Sequence, residues 1–406
     1  MLNLLLKLPL FKLFYYFGFP KIMPISYTFS VSYTCNSKCS TCFVHKKSAV
    51  ELSLAEYQQI FRKIGKSPYW VTFSGGEPFL RKDFVEIVKS CYDFCKPKII
   101  NIPTNGSLTT KILENVKEIL QHCKRSQIII NISIDGIGEE HDTIRNFPNS
   151  YVRAIHTFSL LKKISPKSGS LRGGGLSVGI HTVISKFNVE NFSRIANTLM
   201  EFKPDQYITE IAEQRNELGT IGKDITPDLL HYKAAVDFLL HRIKHTEYKK
   251  RMNRIAQTFR IEYYNLAQSI IKFKRQIIPC YAGVNSVQIS PEGSVWSCCI
   301  KAKEIGSLRK NNYDLYRIWK NNKFAKERAN IKAGKCHCPL ANAGYTNMLM
   351  DIEVLFRVFR TSFISRKLKR YKNEKKTLHS SYINNITNYF IGILRFFQKQ
   401  RNRKTS

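Results

Sequence analysis

Three cysteines, Cys35, Cys39 and Cys42, lie in the run Thr34-Cys-Asn-Ser-Lys-Cys-Ser-Thr-Cys-Phe43, a C-x3-C-x2-C spacing. One short loop thus supplies three thiolates. A structural zinc takes four protein ligands, and an ordinary electron-transfer [4Fe–4S] cluster takes four cysteines. A cubane held by three keeps one iron open to a small molecule. The spacing therefore predicts a cluster that binds a substrate or cofactor directly.

The elements that must position this loop are legible as patterns. Tyr27–Thr34 is a β-rich run that ends at the first cysteine. Ser53-Leu-Ala-Glu56 is a capping box that opens a helix to about Lys66. Further strands are predicted at Tyr69–Ser74, Lys98–Pro103, Gln127–Ser133, Leu176–Ile184 and Gln206–Ile211. Helices near Asp83–Cys95, Thr109–Cys123, Tyr151–Ile164 and Val189–Phe202 fall between them. Such alternation predicts right-handed βαβ units and a parallel sheet. The expected fold is α/β, an incomplete (β/α)6 TIM-like barrel over residues 24–215, with its site at the C-terminal ends of the strands. Lys167–Gly175 is glycine-rich, but it neither follows a strand nor opens a helix, so it reads as a flexible crossing. Cys91, Cys95 and Cys123 fall on predicted helices and read as small packing residues.

Each predicted strand ends in small or polar residues. The second ends Ser74-Gly-Gly-Glu-Pro78 and the third Thr104-Asn-Gly106. The fourth ends Ser133-Ile-Asp-Gly136, followed by His141-Asp142 and Arg145. The cysteine loop, the Gly-Gly-Glu-Pro segment and the Ser-Ile-Asp-Gly strand end resemble the radical S-adenosylmethionine (radical SAM) superfamily, over roughly residues 26–215. The resemblance implies that Cys35, Cys39 and Cys42 hold three irons of a [4Fe–4S] cluster whose fourth iron chelates SAM. It also implies reductive cleavage of SAM to a 5′-deoxyadenosyl radical that abstracts hydrogen from an unactivated C–H bond. Gly75, Gly76 and Glu77 would then meet the methionine amino group, and Arg145 its carboxylate. Ser133 would contact the methionine end, Phe43 would lie beside adenine, and Asn105 would line the cleft. Each residue also has a plainer reading: Glu77 as a helix cap, Arg145 as a surface ion pair, His141 as a hydrogen bonder within the fold.

Later in the chain, Cys280, the turn Ser290-Pro-Glu-Gly293, Cys298, Cys299 and Cys336-His-Cys338-Pro339 resemble the SPASM or twitch extension of that superfamily. By this resemblance Cys280, Cys298, Cys336 and Cys338 ligate one auxiliary [4Fe–4S] cluster. Cys299 is the alternative to Cys298, and a zinc ribbon on the same four thiols is the alternative to a cluster. The chain departs from the pattern in having Cys336-x-Cys338 rather than C-x2-C. This small α+β unit spans 276–350, after a helical connector at 216–275. A helical basic tail covers 351–406. An apolar, basic segment covers 1–23, where Pro9 and Pro20 interrupt any long helix.

The chain has 406 residues, 65 Lys+Arg against 30 Asp+Glu, and a formal charge of +35. A surplus of that size fits a lysine-rich surface, a membrane surface, a nucleic acid or an anionic substrate. No secretory cleavage site is evident, and eleven cysteines read as reduced, metal-binding thiols in the cytoplasm. No apolar run is long enough for a spanning helix. Ile352, Leu355, Phe356, Phe359 and Phe363, and again Ile383, Ile386, Phe390, Ile393 and Phe397, recur at helical spacing among basic residues. With residues 1–17 they predict peripheral association with an anionic membrane, or else packing on the protein itself. The expected partners are a reductant such as flavodoxin or ferredoxin and a peptide, sugar or lipid-linked substrate. An RNA-modifying enzyme is the alternative that the charge suggests, but no RNA-binding module is recognisable, so nucleic acid is not expected. A non-catalytic zinc scaffold would leave the strand-end motifs unexplained. Glu210 and Glu213, near the sixth strand, are candidates for the substrate cavity.

Overall fold

The computed structural model describes residues 6–165, 174–246 and 251–362. Most of the Lys167–Gly175 crossing, Phe363 and the Ile383–Phe397 stripe lie outside them. The chain divides into two compact units, residues 1–246 with 263–351, and 247–262 with 352–406.

In the larger unit, strands β1 (Ser26–Ser30), β2 (Trp70–Ser74), β3 (Ile99–Thr104), β4 (Gln127–Ser133), β5 (Gly175–Ile184) and β6 (Gln206–Ile211) pair in parallel in chain order. β4 shows why the sequence folds this way. Its isoleucines Ile128, Ile130 and Ile132 are fully buried and Ile129 nearly so, as in a parallel strand covered on both faces. Each such side chain contributes about 1.5–3 kcal/mol. β1 and β6 stand apart in the strand order, so the barrel is incomplete, as the six-unit pattern predicts.

The edge of β1 is taken by the second cysteine unit. β7 (Ser286–Ile289) pairs with β1 in parallel, Ser26 opposite Ser286 and Phe29 opposite Ile289. β8 (Ser294–Trp296) and β9 (Gly306–Ser307) continue the sheet antiparallel. The cysteine loop, Cys280 and Cys298 therefore flank strands of one nine-stranded sheet, while Cys336 and Cys338 follow the helix Asn322–Lys332.

The helix after the cysteine loop, Leu54–Ile64, carries the expected capping box. The Glu56 N–H donates to Ser53 Oγ and the Ser53 N–H donates to Glu56 Oε2. Cys91, Cys95 and Cys123 are buried in the core.

Three local features differ from expectation. Pro9 does not break a helix but sits in the first turn of Leu8–Phe17, where its missing N–H leaves nothing unpaired. Residues 212–228 form loops and turns, and helix begins only at Leu229–His245, capped by Asp228. A seven-residue helix, Glu139–Arg145, was not predicted. Its few polar residues give no apolar period to read. Among the described residues no helix is long and apolar enough to cross a membrane.

Candidate iron–sulfur and nucleotide site

The loops after β1 and β2 are zipped together. The Gly76 N–H donates to Ser32 O at 2.7 Å and the Glu77 N–H to Thr34 O at 2.9 Å. A Cβ on Gly75 would stand 2.2 Å from Ser32 O, and one on Gly76 2.1 Å from Thr34 O. Gly75 also has φ +126°, which disfavours any side chain. The missing Cβ atoms make room for the cysteine loop itself, because β1 and β2 are hydrogen-bonded neighbours whose ends must share space.

Glu77 is 1% exposed. Its carboxylate accepts from the Phe79 N–H at 3.2 Å, Thr104 Oγ1 at 2.9 Å and the Asn105 N–H at 2.8 Å. It thus caps the turn Pro78–Leu80, as its plainer reading had it, and also ties β2's end to β3's. Burial pushes its pKa up to about 7, against the pull of those donors. Asn105 carries the tie onward, donating to Asn36 Oδ1 at 2.7 Å and Ser37 Oγ at 3.3 Å. The third strand end therefore braces the cysteine loop directly.

Arg145 is not on the surface. Its Nη2 pairs with Asp135 Oδ2 at 2.7 Å, its Nη1 points at Cys39 Sγ at 3.7 Å, and its buried Nε has no hydrogen-bond partner. Asp135 belongs to the Ser-Ile-Asp-Gly run, which does not by itself name Arg145 as its partner. Ser133 ends β4 beside this pair, opposite His181 of β5. The Phe43 ring is flanked by the ammonium groups of Lys46 at 5.2 Å and Lys223 at 5.6 Å.

His141 is buried, and its Nδ1 accepts from the Asp135 N–H at 3.0 Å. Desolvation, then the neighbouring Arg145 charge, push its pKa down to about 4. The unfolded chain, with an ordinary histidine, therefore binds this proton first on acidification. Its contribution to stability is complete above about pH 6.5 and is lost as pH falls toward 4, amounting to about 2 kcal/mol between pH 7 and pH 5. Urea unfolding at those two pH values is expected to show the unaltered protein losing about 2 kcal/mol more than His141→Leu between pH 7 and pH 5, a comparison in which Glu77 and the other titrating groups cancel. An unchanged difference in the variant refutes the assignment.

The second cysteine set is pinned by the helix Ala341–Met350 and the helix Arg251–Phe273. The Tyr281 N–H donates to Asn347 Oδ1 at 2.7 Å, and Tyr263 Oη donates to Pro339 O at 2.9 Å. Cys280, Cys298 and Cys336 are electrostatic neighbours, and Cys338 lies near Cys280 and Cys298. Cys299 packs against Cys338 and neighbours Cys298, Glu217, Arg215 and Gln288. Cys298 has the larger number of thiol neighbours, Cys280, Cys336 and Cys338, and is the proposed ligand, with Cys299 the alternative. Cys298→Ser is expected to remove about four irons per chain while Cys299→Ser removes none, measured as iron and sulfide on reconstituted protein. The reverse pattern would transfer the role to Cys299.

A strap after β6 links the two sets. The Phe43 N–H donates to Leu218 O at 2.9 Å, and the Glu217 N–H donates to Cys299 O at 3.3 Å. Ser30 Oγ donates to Glu217 Oε1 at 3.0 Å. Behind the strap, Arg215 Nη2 lies 3.1 Å from Glu210 Oε2 and 4.0 Å from Glu213 Oε2, with His181 Nε2 3.8 Å from Glu210 Oε1. Burial pushes the Glu213 carboxyl up to about 7, partly opposed by Arg215. Buried Glu213 Oε2, Arg215 Nε and Gln288 Oε1 have no hydrogen-bond partners. Glu210 and Glu213 are the two carboxylates that the sequence offers as candidates here. Arg215 and His181 are not among those candidates, although Arg215 follows Glu210 by five residues at a strand end.

Comparison with known proteins decides the family. Residues 29–199 match the radical SAM superfamily model, and residues 280–339 match the SPASM iron–sulfur cluster-binding domain. The chain belongs to the radical SAM superfamily. Its radical SAM domain takes a [4Fe–4S] cluster and SAM, and its SPASM domain takes auxiliary iron–sulfur cluster chemistry. The family displaces the zinc-scaffold alternative. This radical SAM protein is 26% identical over 305 residues to the antilisterial bacteriocin subtilosin biosynthesis protein AlbA of Bacillus subtilis, covering 72% of this chain and 59% of AlbA. It is 24% identical over 324 residues to the mycofactocin maturase MftC of Mycobacterium tuberculosis, covering 77% of this chain and 75% of MftC. It shares its fold with SuiB of Streptococcus suis bound to precursor peptide SuiA, at a TM-score of 0.52, 17% identity and coverage of 76% and 67%. The chain spans 49–59% of the length of the first curated relatives it matches.

The donor sets fit the clusters. Burial, with neighbouring Cys39 adding to it, pushes Cys35 up to about 11 and Cys42 up to about 12. Thiols gathered this closely and desolvated ionise together only around a cation such as iron. Among the described residues no three Cys, His, Asp or Glu groups converge on a single-ion site, whereas a cubane takes each thiolate at a separate corner. The orphaned Arg145 Nε beside Cys39 is a donor suited to a carboxylate.

Proposed function

We propose that this protein is a peptide-modifying radical SAM enzyme, with Cys35, Cys39 and Cys42 holding the SAM-binding cluster and Cys280, Cys298, Cys336 and Cys338 one auxiliary cluster. The observation that carries it is the junction of the two cysteine sets: the three-thiol loop follows β1, Cys280 and Cys298 flank the β7–β8 hairpin paired with it, and the Glu213–Thr220 strap runs between them. The names of the relatives AlbA and MftC, a bacteriocin biosynthesis protein and a maturase, favour a peptide over a sugar or lipid-linked substrate. When bound, the reduced cluster and SAM supply a carbon-centred radical able to take a hydrogen atom from a substrate carbon. The chain's own residues do the placing. Asp135 orients Arg145 for the methionine carboxylate, and Glu77, with one acceptor position left, faces the amino end. Asn105 holds the cysteine loop, and Phe43 stands at its mouth. Arg215, Glu210, Glu213 and His181 present donors and acceptors to a peptide lying between the clusters. A flavodoxin- or ferredoxin-type reductant would supply the electron.

The test is anaerobic reconstitution with iron and sulfide, then dithionite and SAM. Deoxyadenosine release that rises when a pooled bacterial peptide fraction is added, and not with tRNA or sugar phosphates, supports the reading. Stimulation by tRNA alone would favour RNA modification.

A further inference from the structure

We infer that the exposed face of the helix Leu8–Phe17 and the turn after it form a docking surface for an anionic lipid bilayer, a property separate from the proposed chemistry. The helix has two apolar faces. One is anchored: Phe11 and Phe14 are buried, Phe14 meets Trp319 edge-on at 6.3 Å, and Tyr15 lies 4.5 Å from Tyr281. The other is bare. Leu6, Leu10, Leu13 and Phe17 fall at i, i+4, i+7 and i+11 and are 66%, 38%, 44% and 78% exposed. Gly18, at φ +74°, ends the helix and leads to Phe19, which is 75% exposed. A single exposed leucine is ordinary, but a contiguous row with two projecting phenylalanines is a binding face.

The occupant follows from charge. No Asp or Glu occurs before Glu51, while Lys7, Lys12 and Lys21 accompany this segment. Lys332 Nζ donates to Tyr16 O at 3.0 Å at the helix C-terminal end, where cations suit the helix dipole. A groove of about 210 Å³ beside the helix is lined by Lys21, Arg328 and Lys332. Apolar side chains that enter an interface, bordered by cations that meet anionic headgroups, are the two terms of peripheral membrane binding. A rigid anchor on the protein adds to this, because the face is already ordered before it binds.

Co-sedimentation of the full chain with phosphatidylcholine–phosphatidylglycerol vesicles and with phosphatidylcholine vesicles tests it, with circular dichroism and iron content as checks on folding. Binding is expected to the anionic vesicles, weakened by salt, and to fall at least about tenfold in Phe17→Ser/Phe19→Ser. Lys7→Glu/Lys12→Glu should weaken it too, without changing the fold. Absence of binding by the unaltered chain overturns the inference. So does equal binding by the phenylalanine variant, or loss of binding only on truncation after Ser362. A dimer in sedimentation velocity that the same two substitutions dissolve would assign the face to a second copy instead.

Discussion

Cys39→Ala is expected to abolish reductive SAM cleavage while leaving the auxiliary site loaded. Cys39 is 6% exposed and lies at the centre of its loop, with the Arg145 guanidinium 3.7 Å from its sulfur. Its removal leaves two thiolates for a cluster that needs three, and leaves that guanidinium with Asp135 alone. Loss of an outer-shell partner already costs a metal site 10–100-fold, so loss of a direct ligand should lower deoxyadenosine formation by at least about a hundredfold. Iron should fall from about eight per chain to about four, because the four-thiol set is untouched. The measurement is iron, sulfide and deoxyadenosine on anaerobic protein. Cleavage near the wild-type rate with a full iron complement would remove these cysteines from the site.

Glu77→Ala should be the most destabilising single change at the strand ends. It strands Thr104 Oγ1 and the N–H groups of Asn105 and Phe79, all of which now donate to the Glu77 carboxylate. At about 1–3 kcal/mol for each unsatisfied buried donor, the loss is on the order of 4 kcal/mol. Glu77→Gln keeps one oxygen acceptor and should lose about half as much. Because Asn105 in turn braces Asn36 and Ser37, the alanine variant should also load its first cluster poorly. Urea unfolding of the cluster-free protein reads the first effect and iron content the second. A loss under about 1 kcal/mol in the alanine variant would show that these bonds carry little.

Much of the fold was legible because its signals are local. The capping box at Ser53 needs only four residues of sequence. The isoleucine run of β4 marks burial on both faces, and the strand–helix alternation follows from it. The second unit's attachment was not legible. Ser286–Ile289 reads as a strand, but nothing within it names β1 as its parallel neighbour, since the pairing spans some 260 residues of chain. The helix at Glu139–Arg145 was too short and too polar to show a period.

The cysteine spacing alone determined that this chain offers one incomplete thiolate set, and the strand-end motifs alone determined which loops surround it, because ligand number and turn chemistry are properties of short segments. Only the tertiary structure decided how those residues are employed. The Gly75 and Gly76 hydrogens make room for the cysteine loop, Glu77 ties β2's end to β3's, Arg145 divides itself between Asp135 and Cys39, and Cys298 gathers with Cys280 and Cys336. Each of these outcomes depends on distances between segments remote in sequence, set by strand pairing and burial. A carboxylate's partners or a glycine's neighbours cannot be read from the residues beside it in the chain.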